Sequence, residues 1–194
     1  MRRSDSLYSN VNKFAVAAFV VIATVLGLLH PAQAQIVYTP ANVTIYQNTY
    51  NLDVNNDGVT DFAIHSGGGK FCNCRNGGCQ FLYSLNEFPT SGNGVVGSPP
   101  APLLLGHAIG PKQVFYGGTG QLAFHARSCS GQFTNAGRWI SRNGKTAYLG
   151  FRFQINGETH YGWAKLTVSG IEATLTGYAY EATPGQALTA GQTQ

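Results

Sequence analysis

The sequence predicts an all-β protein folded as a single antiparallel β-sandwich. Three observations carry this. Residues 147–181 read AYLGFRFQI, NG, ETHYGWAKLTV, SG, IEATLTGYAYE, three strands joined by two tight turns. The chain of 194 residues is poor in charge (10 % Asp, Glu, Lys and Arg) and rich in Gly, Tyr and Phe, a composition that suits strands and turns. Gly and Pro interrupt every long window, so no amphipathic helix pattern survives.

The three-stranded ribbon can be registered from its turns. Asn156-Gly157 supplies the two positive-φ positions of a two-residue hairpin loop. It places Ile155 opposite Glu158, Phe153 opposite His160, Phe151 opposite Gly162 and Leu149 opposite Ala164. A second turn at Ser169-Gly170 places Val168 opposite Ile171, Leu166 opposite Ala173 and Gly162 opposite Gly177. Side chains alternate along a strand. One face then holds Leu149, Phe151, Phe153, Ile155, Leu166, Val168, Ile171 and Leu175, the expected core. Each large apolar side chain contributes about 1.5–3 kcal/mol when buried, so a slip of one residue is costly.

The opposite face carries Tyr148, Arg152, Tyr161, Trp163, Lys165, Tyr178 and Tyr180. Aromatic side chains mostly serve packing, which makes this face a partly covered second layer with hydroxyls at its rim. The sharper reading is an exposed stacking platform for a glycan or a protein surface. Tyr148, Arg152, Tyr161, Trp163 and Tyr178 are then its ligand-binding residues.

Taken from its start, the chain opens with a secretory signal pattern. Arg2, Arg3 and Lys13 form a basic region, residues 14–29 an apolar run, and Ala32-Gln33-Ala34 a small-x-small cleavage site. The expected mature chain begins at Gln35, with residues 35–182 as the sandwich and 183–194 as a polar tail. The apolar run is short for a membrane span and ends at Pro31, so no stable span is expected after cleavage. Removing residues 1–34 leaves nine Lys and Arg against seven Asp and Glu. That net charge of +2, with no basic stripe, argues against nucleic acid as a partner.

Residues 43–46 and 62–65 read as strands. Between them lies DVNNDGVTD, residues 53–61, the most specific chemical signal in the chain. Calcium takes six to eight hard oxygens. Asp53, Asn55, Asp57 and Asp61 supply side-chain oxygens, Val59 its carbonyl, and Gly58 permits the bend. An EF-hand carries Glu at the twelfth position, and here that residue is Ile64, so the pattern is a strand-loop-strand calcium loop. Water or a distant carboxylate such as Glu87 completes the set. An Asx-rich turn without metal is the competing reading.

Gly67-Gly68-Gly69-Lys70 lacks the full phosphate-loop spacing and is rejected as one. Cys72, Cys74, Cys79 and Cys129 are the only cysteines. In an exported chain they read as disulfides. Because 72–74 is sterically awkward, one of that pair joins Cys79 and the other Cys129. The C-x-C-x₄-C spacing does not fit a zinc ribbon, and no C-x-x-C redox pair occurs. Residues 90–102 and 131–137 read as loops, and residues 122–126 as a strand.

No nucleophile, base and orienter assemble into a motif. His160 falls on the core face beside Phe153 and reads as structural. Outside the calcium loop the mature chain has only Glu87, Glu158, Glu172 and Glu181, a thin supply for a paired-acid glycosidase. A hydrolase with an unidentified acid/base pair is the alternative reading.

The combination of a signal pattern, NLDVNNDGVTDF, AIGP, YLGFRFQINGETHYGWAKL and YAYE-x-TPGQ resembles a group of uncharacterised exported bacterial proteins. Many of these are similar to PEP-CTERM-type surface proteins. The resemblance covers most of the mature chain and implies no known activity. This chain departs after Gln186, where no Pro-Glu-Pro motif, apolar helix and basic stop follow; release into the periplasm or medium is expected. The sequence therefore predicts a secreted or periplasmic, calcium-stabilised sandwich. Its expected role is non-enzymatic binding of a glycan or protein at the cell surface or in the matrix.

Overall fold

A computed structural model describes residues 35–75 and 77–194, and the expected signal segment, residues 1–34, lies outside them. These residues form a β-sandwich with no α-helix and one 3-10 turn at Ile140–Arg142. The strands are β1 (Ile36–Ile45), β2 (Thr49–Leu52), β3 (Phe62–Phe71), β4 (Gln80–Pro89), β5 (Gly94–Val96), β6 (Pro102–Leu103) and β7 (Ala108–Ile109). They continue with β8 (Phe115–Tyr116), β9 (Gly120–Arg127), β10 (Phe133–Ala136), β11 (Lys145–Ile155), β12 (Glu158–Ser169), β13 (Glu172–Glu181) and β14 (Leu188–Thr189). One sheet runs β1-β13-β12-β11-β5-β8, with β6 also on β11; the second runs β10-β9-β4-β3-β2; β14 and β7 pair separately. All pairings are antiparallel.

The first hairpin has the register its turn chemistry predicts. Ile155 faces Glu158, Phe153 faces His160, Phe151 faces Gly162 and Leu149 faces Ala164, with Asn156 and Gly157 both at positive φ. All eight predicted core residues pack between the two sheets with Ile45, Phe62, Ile64, Leu85 and Trp139. A Cβ on Gly162 would overlap the Phe151 ring, so the glycine makes room for that ring.

The second hairpin differs from expectation. Its turn centres on Gly170-Ile171, because Ser169 pairs with Glu172 and Val168 with Ala173. Two residues of slip preserve which face is which. An extra residue, Thr176, then interrupts the ladder between Lys165 and Leu166, and beyond it Trp163 pairs with Ala179 and Ala164 with Tyr178. A bulge of one residue reverses facing. Tyr178 and Tyr180 therefore turn toward the main core, away from Tyr161 and Trp163. Edge strand β1 absorbs the same irregularity between Pro40 and Val43. Proline, lacking an N–H, is tolerated at such an edge.

Four regions carry more structure than their sequence predicts. Residues 90–102 hold β5, the first residue of β6 and a cis Ser98-Pro99 peptide. Residues 131–137 hold β10. β4 has no counterpart among the expected strands. Residues 183–194 are no loose tail: Leu188 and Ala190 are buried, Leu188 pairs with Ile109, and Gly106 N–H donates to Ala190 O (2.9 Å). Apolar residues at alternate positions anchor this segment over the sheet.

Candidate functional site

The aromatic face of β11 and β12 is covered. Trp163 is 1 % exposed, and Tyr148, Tyr161 and Tyr178 are likewise buried. Tyr38 lies 5.9 Å from the Trp163 ring and Tyr148 stands edge-on to it at 5.3 Å. A second apolar layer from Ala101, Leu103, Ile109, Leu188 and Ala190 closes over Tyr148, Tyr161 and Trp163. The Trp163 Nε1–H donates to Gln192 O (3.2 Å), which satisfies the indole inside the layer. Arg152 lies 5.7 Å from the centre of the Phe115 ring, which packs on Tyr161. Of the expected platform, Tyr148, Tyr161 and Trp163 thus form an internal layer, with Arg152 half-buried at its edge and Tyr178 in the main core. Tyr178 does not even share its face, for the reason of the bulge. Alternation along strands reveals two faces but not what later segments lay over them.

The 53–61 loop joins β2 to β3. Asp53 accepts backbone N–H groups from Asp57 (3.2 Å) and Gly58 (2.7 Å), and Gly58 has φ +88°. Asp57 accepts from the Asn55 amide (2.9 Å) and from Val59 N–H (2.8 Å), which hold its carboxyl below the ordinary range. Asp61 is buried and accepts from Val54 N–H (2.9 Å) and Asn93 (3.2 Å). Burial pushes its carboxyl up, and repulsion from Asp57 and Asp53 adds to this. Among the described residues, no three His, Cys, Asp or Glu side chains stand as a metal-holding group. The oxygens nevertheless suit a hard cation. Each carboxylate keeps spare lone pairs beyond the bonds named. Asn55 Oδ1 is buried without a hydrogen-bond partner among the described residues. Glu87, the carboxylate expected to complete the set, lines a cavity to which no residue of the 53–61 loop contributes.

The disulfides match expectation: Cys72–Cys79 and Cys74–Cys129 leave no free cysteine. Cys72–Cys79 closes the β3–β4 connection on itself, and Cys74–Cys129 ties it to the segment just after β9. Such pairs belong to an oxidising compartment. Among the described residues, no helix is long and apolar enough to cross a membrane.

The open aromatic surface lies elsewhere, at the disulfide end of the five-stranded sheet. Tyr83 faces His125 across β4 and β9, and His125 faces Asn135 across β9 and β10. Phe81 faces Arg127, which faces Phe133. By alternation these side chains share the face of core Leu85, so they continue the inner surface of the sheet toward solvent. His125 stacks on Phe81 at 5.4 Å and hydrogen-bonds Asn135, while Arg127 covers Phe133 at 5.6 Å. Phe133 is 62 % exposed. A groove of about 460 Å³ opens beside this shelf, lined by Tyr46, Tyr83, His125, Asn135, Ile140, Asn143, Gly170 and Ile171. Its aromatic floor, amide groups and imidazole combine stacking surface with directional donors and acceptors. The sequence carried one usable sign, the alternating FLY, FHAR and FTN runs, which only cross-strand pairing brings together.

The fifth feature is Glu87. It is fully buried in the wall of a cavity of about 150 Å³ with Ser98, Pro100, Tyr116 and the 117–120 glycine-rich run. Among the described residues, neither carboxyl oxygen has a well-formed hydrogen bond. Burial pushes its pKa up to about 8, against the opposing effect of the nearby Gly120 N–H. A Cβ on Gly120 would overlap Glu87 Oε1. No second carboxylate or histidine lines that cavity. His160 is buried, with Nδ1 bonded to Glu181 O (2.9 Å), a structural placement. Comparison with known proteins finds no matching family model, no matching curated protein and no matching solved structure.

Proposed function

We propose that this chain is an exported, calcium-stabilised β-sandwich that binds a glycan without chemically altering it, at the cell surface or in the surrounding matrix. The binding site is the groove beside the aromatic shelf. One observation supports this above the rest: Tyr83, His125 and Asn135 line an open groove beside an exposed Phe133. Sugar rings present apolar C–H faces and hydroxyl edges, and this groove offers aromatic faces beside amides and an imidazole in matching variety. Paired cysteines support the exported location. Calcium gathers the oxygens of Asp53, Asn55, Asp57 and Asp61 with the Val59 carbonyl and fixes the β2–β3 loop; the unpartnered Asn55 oxygen supports this.

A glycan array and polysaccharide pull-down with the mature protein test the site. His125→Ala and Phe133→Ala each weaken binding about 10-fold or more, the loss of one good aromatic or hydrogen-bonding contact. Trp163→Phe, which alters only the covered layer, leaves it unchanged. Binding that ignores both shelf substitutions refutes the groove, and a protein ligand captured there in place of a glycan refutes the ligand class.

A further inference from the structure

Gln35, the residue expected to begin the mature chain, is already held against a buried acid. Its backbone N–H donates to Glu181 Oε1 (3.0 Å). Glu181 is 0 % exposed, and its other oxygen, Oε2, is buried with no hydrogen-bond partner among the described residues. The geometry around the pair is fixed from both sides. Ile36 pairs with Glu181 in the β1–β13 ladder, Ala182 N–H donates to Gln35 O (2.9 Å), and Thr183 N–H donates to Glu181 Oε1 (2.8 Å). A buried carboxylate with one oxygen unserved is costly unless a cation meets it.

We propose that the Ala34–Gln35 bond is a processing site whose cleavage builds an ion pair: the new α-ammonium of Gln35 engages both oxygens of Glu181 and locks edge strand β1 to β13. This rests on the export reading above. An uncut chain offers Glu181 a single amide N–H at this point. Cleavage replaces it with an ammonium bearing three donors and a positive charge. One donor keeps the contact with Oε1, and another serves Oε2. The charge-assisted bonds are the stronger kind. The chain thus gains stability on the far side of the membrane, after its leader is gone.

A chemical consequence separates this lock from ordinary packing. A free N-terminal glutamine cyclises when its α-amine nitrogen attacks the side-chain Cδ; a lactam C–N bond forms and the side-chain nitrogen leaves as ammonia. The step needs the amine's lone pair. An ammonium held by Glu181 has none, so cyclisation is slowed.

The test uses four exported full-length proteins recovered after processing: the natural chain, a chain with Ser-Gly inserted between Ala34 and Gln35, the E181Q chain, and the E181Q chain with the insertion. N-terminal sequencing of the natural chain reads Gln35 first. The insertion displaces the amine and lowers Tm by about 3–8 °C, as expected for a charge-assisted contact in a domain of this size. In E181Q the same insertion has little effect. Lactam formation, followed by mass, runs at least about 10-fold faster in E181Q, the rate change for roughly one pKa unit of lost amine protonation. If E181Q does not fold, Glu181→Asp withdraws the carboxylate by one methylene and is read the same way. An equal insertion effect in both backgrounds, or equal cyclisation rates, overturns the proposal. A leader removed at another bond overturns it while leaving export intact; a leader retained on the intact protein overturns both.

Discussion

Burial sets the behaviour of Glu87. In the unfolded chain its carboxyl titrates near 4.5, whereas in the fold it titrates at about 8. The native state therefore holds a proton that the unfolded state releases between these values, and stability falls as pH rises across that window. The full effect is about 4–5 kcal/mol. E87Q keeps the shape without the titration, so its thermal stability varies less between pH 5 and 8.5 and exceeds that of the natural chain at the alkaline end. Parallel pH profiles for the two proteins would disprove this account. Nothing about Glu87 was legible from its neighbours NEF. Its isolation arises where Gly120 and Pro100, distant in sequence, close over it. Asn156-Gly157 is the opposite case, since its turn follows from local backbone sterics and needed no tertiary partner.

Among the elements, the β2–β3 loop and the disulfide-bonded β3–β4 connection invite the clearest measurements. The proposed calcium site is expected to show as a melting temperature raised by added calcium and lowered by EDTA; Asp57→Asn, at an exposed position, is expected to remove most of that response while leaving the metal-free Tm within a few degrees. A calcium-independent melt with all three aspartates intact would rule out the loop as a cation site. The two disulfides are unequal. Cys74–Cys129 closes a separation of 55 residues and Cys72–Cys79 one of 7. Restriction of the unfolded chain is then worth about 4 kcal/mol for the first and about 2 kcal/mol for the second. Replacing Cys74 and Cys129 together by serine costs more stability than replacing Cys72 and Cys79, and denaturant midpoints show the order. The pairing was legible in outline because adjacent cysteines cannot bridge. The Thr176 bulge was not, since TLTGYAY alternates without a break and a bulge is visible only against the partner strands.

At the scale of the molecule, the covered face of the seven-stranded sheet depends on the final residues. Leu188, Ala190 and the Gln192 carbonyl close the layer over Trp163. Deleting residues 188–194 uncovers the indole. Its fluorescence shifts to the red and becomes accessible to acrylamide, and Tm drops by several degrees, in line with the loss of a buried leucine and its neighbours. Unchanged quenching after the deletion would show that another segment covers the ring. The same geometry moves the open aromatic surface to the other sheet. There the inner face, continuing past Leu85, ends in Tyr83, His125 and Phe133.

Local chemistry along the chain was enough for the all-β class, the first hairpin with its register, the main core face and the two cysteine pairings left in outline. These follow from alternation, turn residues and short-range sterics, which act between residues near one another in sequence. Which aromatic face meets water, where the ladder slips, and how Glu87 and Glu181 come to be buried depend on contacts between segments far apart in the chain. Covering a sheet face requires a partner surface, and that partner is chosen by the packing of the whole domain, so only the folded structure decides it.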